Sequence, residues 1–287
     1  MGKFYDVVPA GEGHYRIGSA ENVLCELIVG TEKALLFDTG YGYGNLPEAV
    51  REITDLPLIV VNSHGHLDHS CGDYWFEGPI YIHEKDMELY RLHNSEGGRR
   101  EAVDNGKETM DYVTNTPVNI LPEGFDEEAY IHQPYKELVP VGEGHVFDLG
   151  GISLEVVELP GHTRGSIGLW WASKKELLVG DAINQFLWLF SPEADNLATY
   201  ISTLHKAKAM AIKTMYAAHN PMPVPGEMLD VYLECATNLD FGKGYPFQSP
   251  FKSLPGDGVR ICTREGYGPM DMMKPGFAAV VISREHL

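Results

Sequence analysis

Three histidines and an aspartate fall within six residues of this sequence, in the stretch His64-Gly65-His66-Leu67-Asp68-His69. Imidazole nitrogens and carboxylate oxygens are donor atoms that suit zinc, iron and manganese. On extended backbone, residues two apart point to the same side, so His64 and His66 can bind one ion together. Asp68 and His69 lie past a bend and point elsewhere. The spacing therefore indicates a site for two metal ions.

The residues before this stretch place it at the end of a strand. An apolar run over 58–63 follows Pro57 and is typical of a buried strand. A histidine-rich loop can also be a solvated turn, but four ligands directly after an apolar strand favour a metal site. Cys71 lies close by, and we predict that it packs in a helix instead of binding metal.

Three further side chains of metal-ligand type follow apolar strands elsewhere in the chain. His162 lies in the interruption after the strand predicted at 152–159, Asp181 ends a hairpin over 167–179, and His219 follows a strand predicted at 214–218. Rigid strands hold ligands while loops vary, so ligands that converge at strand ends favour a binuclear site built on strands.

The rest of the chain predicts two similar halves, each a β-sheet followed by helices, because Asp38 and Asp181 both end the second arm of an apolar hairpin. A helix over 47–53, capped by Asn45, follows the first hairpin. The polar segment 94–133 is a lid, one wall of the substrate pocket, or an insertion without function. We expect a catalytic domain over 1–225 and a C-terminal extension over 226–287 that packs on it.

Composition limits the possible partners. The chain has 287 residues and a formal charge of −19, which would repel the phosphate backbone of a nucleic acid. No apolar run has the length of a membrane span, and the first residues lack a signal-peptide core, so we expect a cytoplasmic protein that binds neither nucleic acid nor membrane. The four cysteines are scattered without a C-x-x-C pair, which disfavours a disulfide framework.

These motifs together strongly resemble the metallo-β-lactamase superfamily, over about residues 15–223. The hallmarks are Ser63-His64-Gly65-His66-Leu67-Asp68-His69, Leu159-Pro160-Gly161-His162-Thr163-Arg164-Gly165-Ser166, Val179-Gly180-Asp181 and His219. The resemblance implies an α/β fold, a four-layer αββα sandwich. Glyoxalase II and acylhomoserine lactonase enzymes look similar, whereas several zinc β-lactamases have a cysteine where this chain has Asp181.

Carried over to this sequence, the resemblance implies two divalent ions, most simply zinc, with iron or manganese as alternatives. It assigns His64, His66 and His162 to one ion, makes Asp181 the bridge, and gives Asp38 a supporting role. The second ion takes three further ligands: Asp68, His69 and His219.

The implied function is a metal-dependent hydrolase that cleaves a small-molecule ester, thioester or lactone by a metal-bridging hydroxide. Asp68 would accept the proton and pass it to the leaving group. The alternatives are a phosphodiesterase on the same dinuclear site, an iron-dependent oxidoreductase similar to persulfide dioxygenases, and a non-catalytic binding module. The oligomeric state stays open.

Five residues are candidates for the substrate pocket. The segment 183–190 is unusually apolar for a loop beside a metal site, which fits either an apolar substrate portion or ordinary core packing. The candidates are Tyr41, Tyr43, Arg164, Phe186 and Trp188.

Overall fold

A computed structural model describes residues 3–111, 116–249, 254 and 257–287. The chain forms two compact units, Met1–Glu155 and Val156–Leu287. The unit boundary lies inside one strand, Ser153–Glu158. The domain boundary expected near residue 225 stays a prediction.

The first unit is built on a seven-stranded sheet in the order β1-β2-β3-β4-β5-β6-β9. Its first four strands are antiparallel neighbours, whereas β4, β5, β6 and β9 run parallel. The strands are β1 (Asp6–Gly11), β2 (His14–Gly18), β3 (Leu24–Val29), β4 (Ala34–Phe37), β5 (Leu58–Val61), β6 (Ile80–His83) and β9 (Leu138–Val141).

The parallel strands explain why the sequence was informative here. β4 is buried at every position, and Leu36 and Val60 lie in one hydrophobic core with residues of β2 and β3. The predicted helix is confirmed as α1 (Leu46–Arg51), with the Asn45 side chain accepting a hydrogen bond from Glu48 N. Strands with no polar face read as continuous apolar runs, which single them out in a sequence.

Short helices follow β5 and β6 in the first unit. The segment 94–133, whose sequence shows weak periodicity, contains two helices and a two-stranded sheet. The elements are α2 (Leu67–Ser70), α3 (Met87–His93), α4 (Glu96–Lys107), β7 (Thr109–Asp111), β8 (Thr116–Val118) and α5 (Glu127–Ile131); the residues predicted to be helical near Cys71 form a 3-10 helix, Cys71–Trp75. β10 (Val146–Asp148) pairs with the first half of β11 (Ser153–Glu158).

The second unit has strands in the order β11-β12-β13-β15-β16 and packs two helices over them. Residues of both helices share one hydrophobic core with residues of β13, such as Leu177 and Val179. The elements are β12 (Ile167–Trp171), β13 (Glu176–Gly180), α6 (Leu197–Ala209), β15 (Thr214–Ala217), β16 (Val224–Pro225) and α7 (Met228–Thr237).

A separate four-stranded sheet joins the C-terminal residues to this unit, in the order β14-β19-β18-β17. Its strands are β14 (Phe186–Leu189), β17 (Tyr245–Pro246), β18 (Arg260–Thr263) and β19 (Ala279–Ile282). The expectation of a loop over 183–190 was wrong, because its apolar residues form β14. Among the described residues, no helix is both long and apolar enough to cross a membrane.

Candidate metal centre

The histidine-rich stretch begins where β5 ends and continues into α2, with His66 extended at φ −67° and ψ 154°. Gly65 allows this tight path, because a Cβ there would lie 2.7 Å from Tyr90 N and 2.8 Å from Asp86 O. The Gly65 amide also donates to Asp86 Oδ2 at 2.9 Å. The glycine between the two histidines is therefore a packing requirement.

Asp38, at the end of β4, orients this stretch from a left-handed backbone conformation with φ 67°. Its Oδ1 accepts from Ser63 N at 2.7 Å, and its Oδ2 accepts from Ser63 Oγ at 2.8 Å. Oδ2 also lies 2.8 Å from His69 Nδ1. All three groups are buried, so one carboxylate holds both ends of the motif in place.

These contacts determine which ring nitrogen of two histidines carries the proton. A carboxylate only accepts, so His69 Nδ1 is the donor and the lone pair is on Nε2. Ser63 gives its single hydroxyl proton to Asp38, so its Oγ accepts from His64 Nδ1 at 2.9 Å. Both rings therefore present Nε2 as a donor atom for a metal. Hydrogen bonding of the other ring nitrogen is the usual arrangement of metal-binding histidines.

Distances within the first unit agree with shared coordination. His64 Nε2 and His66 Nδ1 lie 2.9 Å apart, close to the about 3.3 Å between two nitrogen ligands on a tetrahedral zinc ion. Asp68 Oδ2 lies 3.6 Å from His69 Nε2, and the His69 side chain is fully buried. The pairing of His64 with His66 follows the sequence prediction.

A buried polar network fixes the backbone of α2, which carries Asp68 and His69. Thr39 Oγ1 and Asn62 Nδ2 both donate to the His69 carbonyl, at 3.2 and 3.1 Å. The same two groups contact Asp73 Oδ1 at 2.8 and 3.3 Å. Burial raises the pKa of Asp73 to about 8. Sequence reasoning missed this network, because its members come from three separate segments.

In the second unit, His162 follows β11 and is buried. Its Nδ1 lies 2.9 Å from the backbone oxygen of Trp188. A carbonyl only accepts, so His162 carries its proton on Nδ1 and presents the lone pair of Nε2. This partner is a backbone atom of β14, so residue types gave no signal for it.

Asp181 and His219 follow β13 and β15, which are parallel neighbours. The carboxyl ends of parallel neighbours meet at one edge of a sheet, which brings these side chains together. Asp181 Oδ2 lies 3.3 Å from His219 Nε2 and 3.8 Å from His162 Nε2. Asp181 thus lies between two imidazoles of its own unit.

The donor chemistry of both units fits divalent metal ions. The side chains that the sequence predicts as ligands belong to groups of His and Asp that could hold an ion. The first unit supplies His64, His66, Asp68 and His69, and the second supplies His162, Asp181 and His219. Which ligands share an ion is taken up under Proposed function.

Cys71 lies next to these residues without the properties of a ligand. It is buried, and its thiol is directed to the backbone oxygen of His93, with Sγ 3.6 Å away. Burial raises the pKa of Cys71 to about 11. Because a thiolate is the form of cysteine that binds metals, Cys71 packs in the core as predicted.

The two tyrosines predicted to shape a pocket are buried instead. The rings of Tyr41 and Tyr43 stack with centroids 5.1 Å apart. Tyr43 donates its hydroxyl to the Ala102 carbonyl, and Tyr130 donates to the Tyr41 carbonyl at 2.7 Å. These contacts join the loop at 41–43 to the segment 94–133, which favours a fixed wall over a lid.

The wall contains a buried cation. Arg99 lies 5.2 and 5.0 Å from the ring centres of Tyr74 and Tyr130. Its guanidinium donates to the Cys71 carbonyl at 3.2 Å and to Asn94 Oδ1 at 2.8 Å. Arg99 therefore ties α4 to the residues that follow the histidine-rich stretch.

The fold and these side chains define a class of protein. The family model described as "Metallo-beta-lactamase superfamily" matches residues 18–219, a range that contains every predicted ligand. The chain belongs to the metallo-β-lactamase superfamily, and the α/β fold class predicted from the sequence is confirmed.

Comparisons with individual proteins agree. The human protein "Acyl-coenzyme A thioesterase MBLAC2" is 29% identical over 185 residues, 60% of this chain and 61% of that protein. "Probable metallo-hydrolase MJ0888" of Methanocaldococcus jannaschii is 29% identical over 166 residues, 55% of this chain and 65% of that protein. The chain therefore spans about three fifths of the length of the curated relatives it matches.

A solved structure shows the same fold. The metallo-beta-lactamase family protein TTHA1429 from Thermus thermophilus superposes with a TM-score of 0.54 at 19% identity, and the match covers 76% of each chain. At this identity the likeness shows the fold alone.

Proposed function

We propose that this chain is a metal-dependent hydrolase that cleaves small acyl thioesters. The observation that carries the proposal is the donor set, in which His64, His69 and His162 each have Nδ1 hydrogen-bonded and present Nε2. Such pre-oriented neutral imidazoles are expected of metal ligands and not of solvated surface histidines. The choice of a thioester within the broader class of esters, thioesters and lactones is supported by the human relative named as an acyl-coenzyme A thioesterase.

We assign His64, His66 and His162 to one ion, with Asp181 as the bridge between the two ions. Asp68, His69 and His219 hold the second ion. Both triplets are combinations of ligands suited to one ion, and Asp181 fits a third group with His64 and His69. Nitrogen-rich sites with added carboxylates suit zinc, and iron and manganese are the alternatives.

Two divalent ions would lower the pKa of a bound water toward neutrality and polarise the thioester carbonyl. Asp68 is the side chain suited to proton transfer, because its carboxylate is 17% exposed whereas His69 beside it is fully buried. It receives a proton of the attacking water and returns it to the sulfur of the leaving thiol. The products are a carboxylic acid and a free thiol.

The test is hydrolysis by purified protein loaded with zinc, measured with and without a chelator. The substrates are an acyl thioester, an oxygen ester, a lactone and a phosphodiester with matched leaving groups. We expect thioester cleavage that the chelator abolishes. Released thiol can be followed with a thiol-reactive dye, because all four cysteines of the chain are buried.

Two variants make the test specific. Asp68→Asn is expected to lower the rate at least about 100-fold, the usual contribution of a general acid or base. Asp55→Asn changes an exposed carboxylate and should match the unchanged protein. Cleavage of the phosphodiester alone, or thioester cleavage that survives metal removal, would overturn the proposal.

A further inference from the structure

The C-terminal extension reaches the candidate metal centre through one backbone atom, the carbonyl oxygen of Trp188. We propose that the sheet β14-β19-β18-β17 positions His162 as a metal ligand by holding this carbonyl in place. Trp188 is then a positioning residue, and Phe247 of the extension is the side chain that fixes it. This inference rests on the proposed role of His162 as a ligand.

The hydrogen bond between His162 Nδ1 and Trp188 O is 2.9 Å long. A neutral imidazole exchanges between two tautomers, and only the tautomer with its proton on Nδ1 leaves Nε2 able to bind a metal. The carbonyl selects that tautomer and sets the direction of the ring. If the carbonyl moved away, the other tautomer would compete and metal affinity would fall.

The register of the sheet determines where this carbonyl points. β14 pairs in parallel with β19, with Trp188 opposite Val281. Gln185 accepts from Ala279 N at 2.9 Å, so its carbonyl points toward β19. Carbonyls alternate in direction along a strand, so that of Leu187 also points toward β19 and that of Trp188 points away. Pairing with the C-terminal strand therefore directs the Trp188 carbonyl to His162.

A cluster of three rings holds β14 in this register. The Trp188 ring lies 5.3 Å from Phe190 and 5.4 Å from Phe247, and the two phenylalanine rings lie 5.4 Å apart. Buried Val259 and Val281 complete the cluster. The backbone of Phe247 is fixed as well, because its amide donates to the Val259 carbonyl at 3.1 Å.

The cluster joins distant parts of the sequence. Phe247 follows β17, the strand at the opposite edge of the sheet from β14. It nonetheless packs on Trp188, so the extension contacts β14 both through strand pairing and through side chains. Removing the Phe247 ring should loosen β14 while leaving every proposed ligand in the chain.

The experiment compares Phe247→Ala with Tyr245→Ala. Tyr245 lies two residues earlier and is 43% exposed, which makes it a matched aromatic control. Zinc affinity is measured by competition with a chromogenic chelator, and thermal unfolding of the metal-free proteins checks the fold. We expect Phe247→Ala to bind zinc about 10- to 100-fold more weakly, the usual effect of removing an outer partner of a metal ligand. Tyr245→Ala should bind as the unchanged protein does.

A second readout follows the tautomer directly. Nitrogen NMR of metal-free protein labelled in its histidine rings, with His162 assigned through His162→Gln, should show Nδ1 protonated in the unchanged chain. Phe247→Ala should show a mixture of tautomers, whereas Phe247→Tyr should restore the single form. If Phe247→Ala does not fold, Phe247→Leu replaces it and is expected to show a smaller change in the same direction.

The outcomes separate this inference from the proposed function. Equal zinc affinity and an unchanged His162 tautomer in both alanine variants would overturn the inference, even if thioesters are hydrolysed. Weakened zinc binding in Phe247→Ala, with no hydrolysis of thioesters by the unchanged protein, would support the inference and overturn the function. If the unchanged protein binds no zinc, the inference fails together with the metal centre.

Discussion

The contact made by the Ser63 hydroxyl gives the sharpest prediction for the metal centre. Ser63 Oγ donates to Asp38 Oδ2 at 2.8 Å and accepts from His64 Nδ1 at 2.9 Å. Ser63→Ala removes both contacts but keeps the backbone bond from Ser63 N to Asp38. It also keeps the contact between Asp38 and His69. The substitution therefore changes the orientation of one ligand and not of the other.

The size of the effect follows from this count of contacts. Loss of an outer partner of a metal ligand costs about 10- to 100-fold in affinity, or about 1.4 to 2.7 kcal/mol. Because His69 keeps its partner, we expect a loss near tenfold. In the metal-free protein, a buried donor that loses its acceptor lowers the free energy of unfolding by about 1 to 3 kcal/mol.

The assay is zinc competition with a chromogenic chelator, together with urea unfolding of the metal-free protein. Ser202→Ala is the control, because the Ser202 hydroxyl is exposed and donates within α6 to the Ala198 carbonyl. Zinc affinity within about twofold of the unchanged protein for both variants would refute the relay from Asp38 through Ser63 to His64.

Three other predictions concern the metal bridge, a buried acid and the buried cation. Asp181→Ala should lose one of two zinc ions, or bind it at least about tenfold more weakly, by elemental analysis; two retained ions with an unchanged rate would contradict its bridging role. Burial raises the pKa of Glu21 from 4.5 to about 8, so the folded protein binds this proton more tightly than the unfolded chain does. Stability should therefore fall as the pH rises from about 4.5 to about 8, by up to about 1.4 kcal/mol per pH unit, and Glu21→Gln should flatten this slope in urea unfolding. Arg99→Met removes hydrogen bonds to Cys71 and Asn94 and should lower the free energy of unfolding by about 2 to 4 kcal/mol, whereas a change below about 0.5 kcal/mol would show that the wall does not depend on this cation.

The sequence predicted much of the fold where one residue type has one strong preference. The run Ala34–Phe37 is a strand with the predicted bounds, and Asn45 caps α1 with its side chain. Buried parallel strands need continuous apolar residues, and a helix start needs a side-chain acceptor. Both requirements are local, so they are readable without a structure.

The prediction failed over 183–190, where an apolar segment was read as a loop. Its neighbour β19 lies about 90 residues further along the chain, with Phe186 opposite Ala279. Strand pairing over that distance leaves no local pattern beyond hydrophobicity, which a loop, a strand and a core segment share. The same reason hid the cluster of Trp188, Phe190 and Phe247.

The sequence by itself determined the chemistry that this protein offers to a metal. The spacing of His64, His66, Asp68 and His69, with three more ligand types after strands, specifies nitrogen and carboxylate donors. Tertiary structure alone decided how those donors are presented. The proton positions on His64, His69 and His162 depend on a serine hydroxyl, a carboxylate and a carbonyl. The carboxylate and the carbonyl come from strands distant in the sequence, and a carbonyl is common to every residue. Folding is therefore what turns a list of possible ligands into an oriented set.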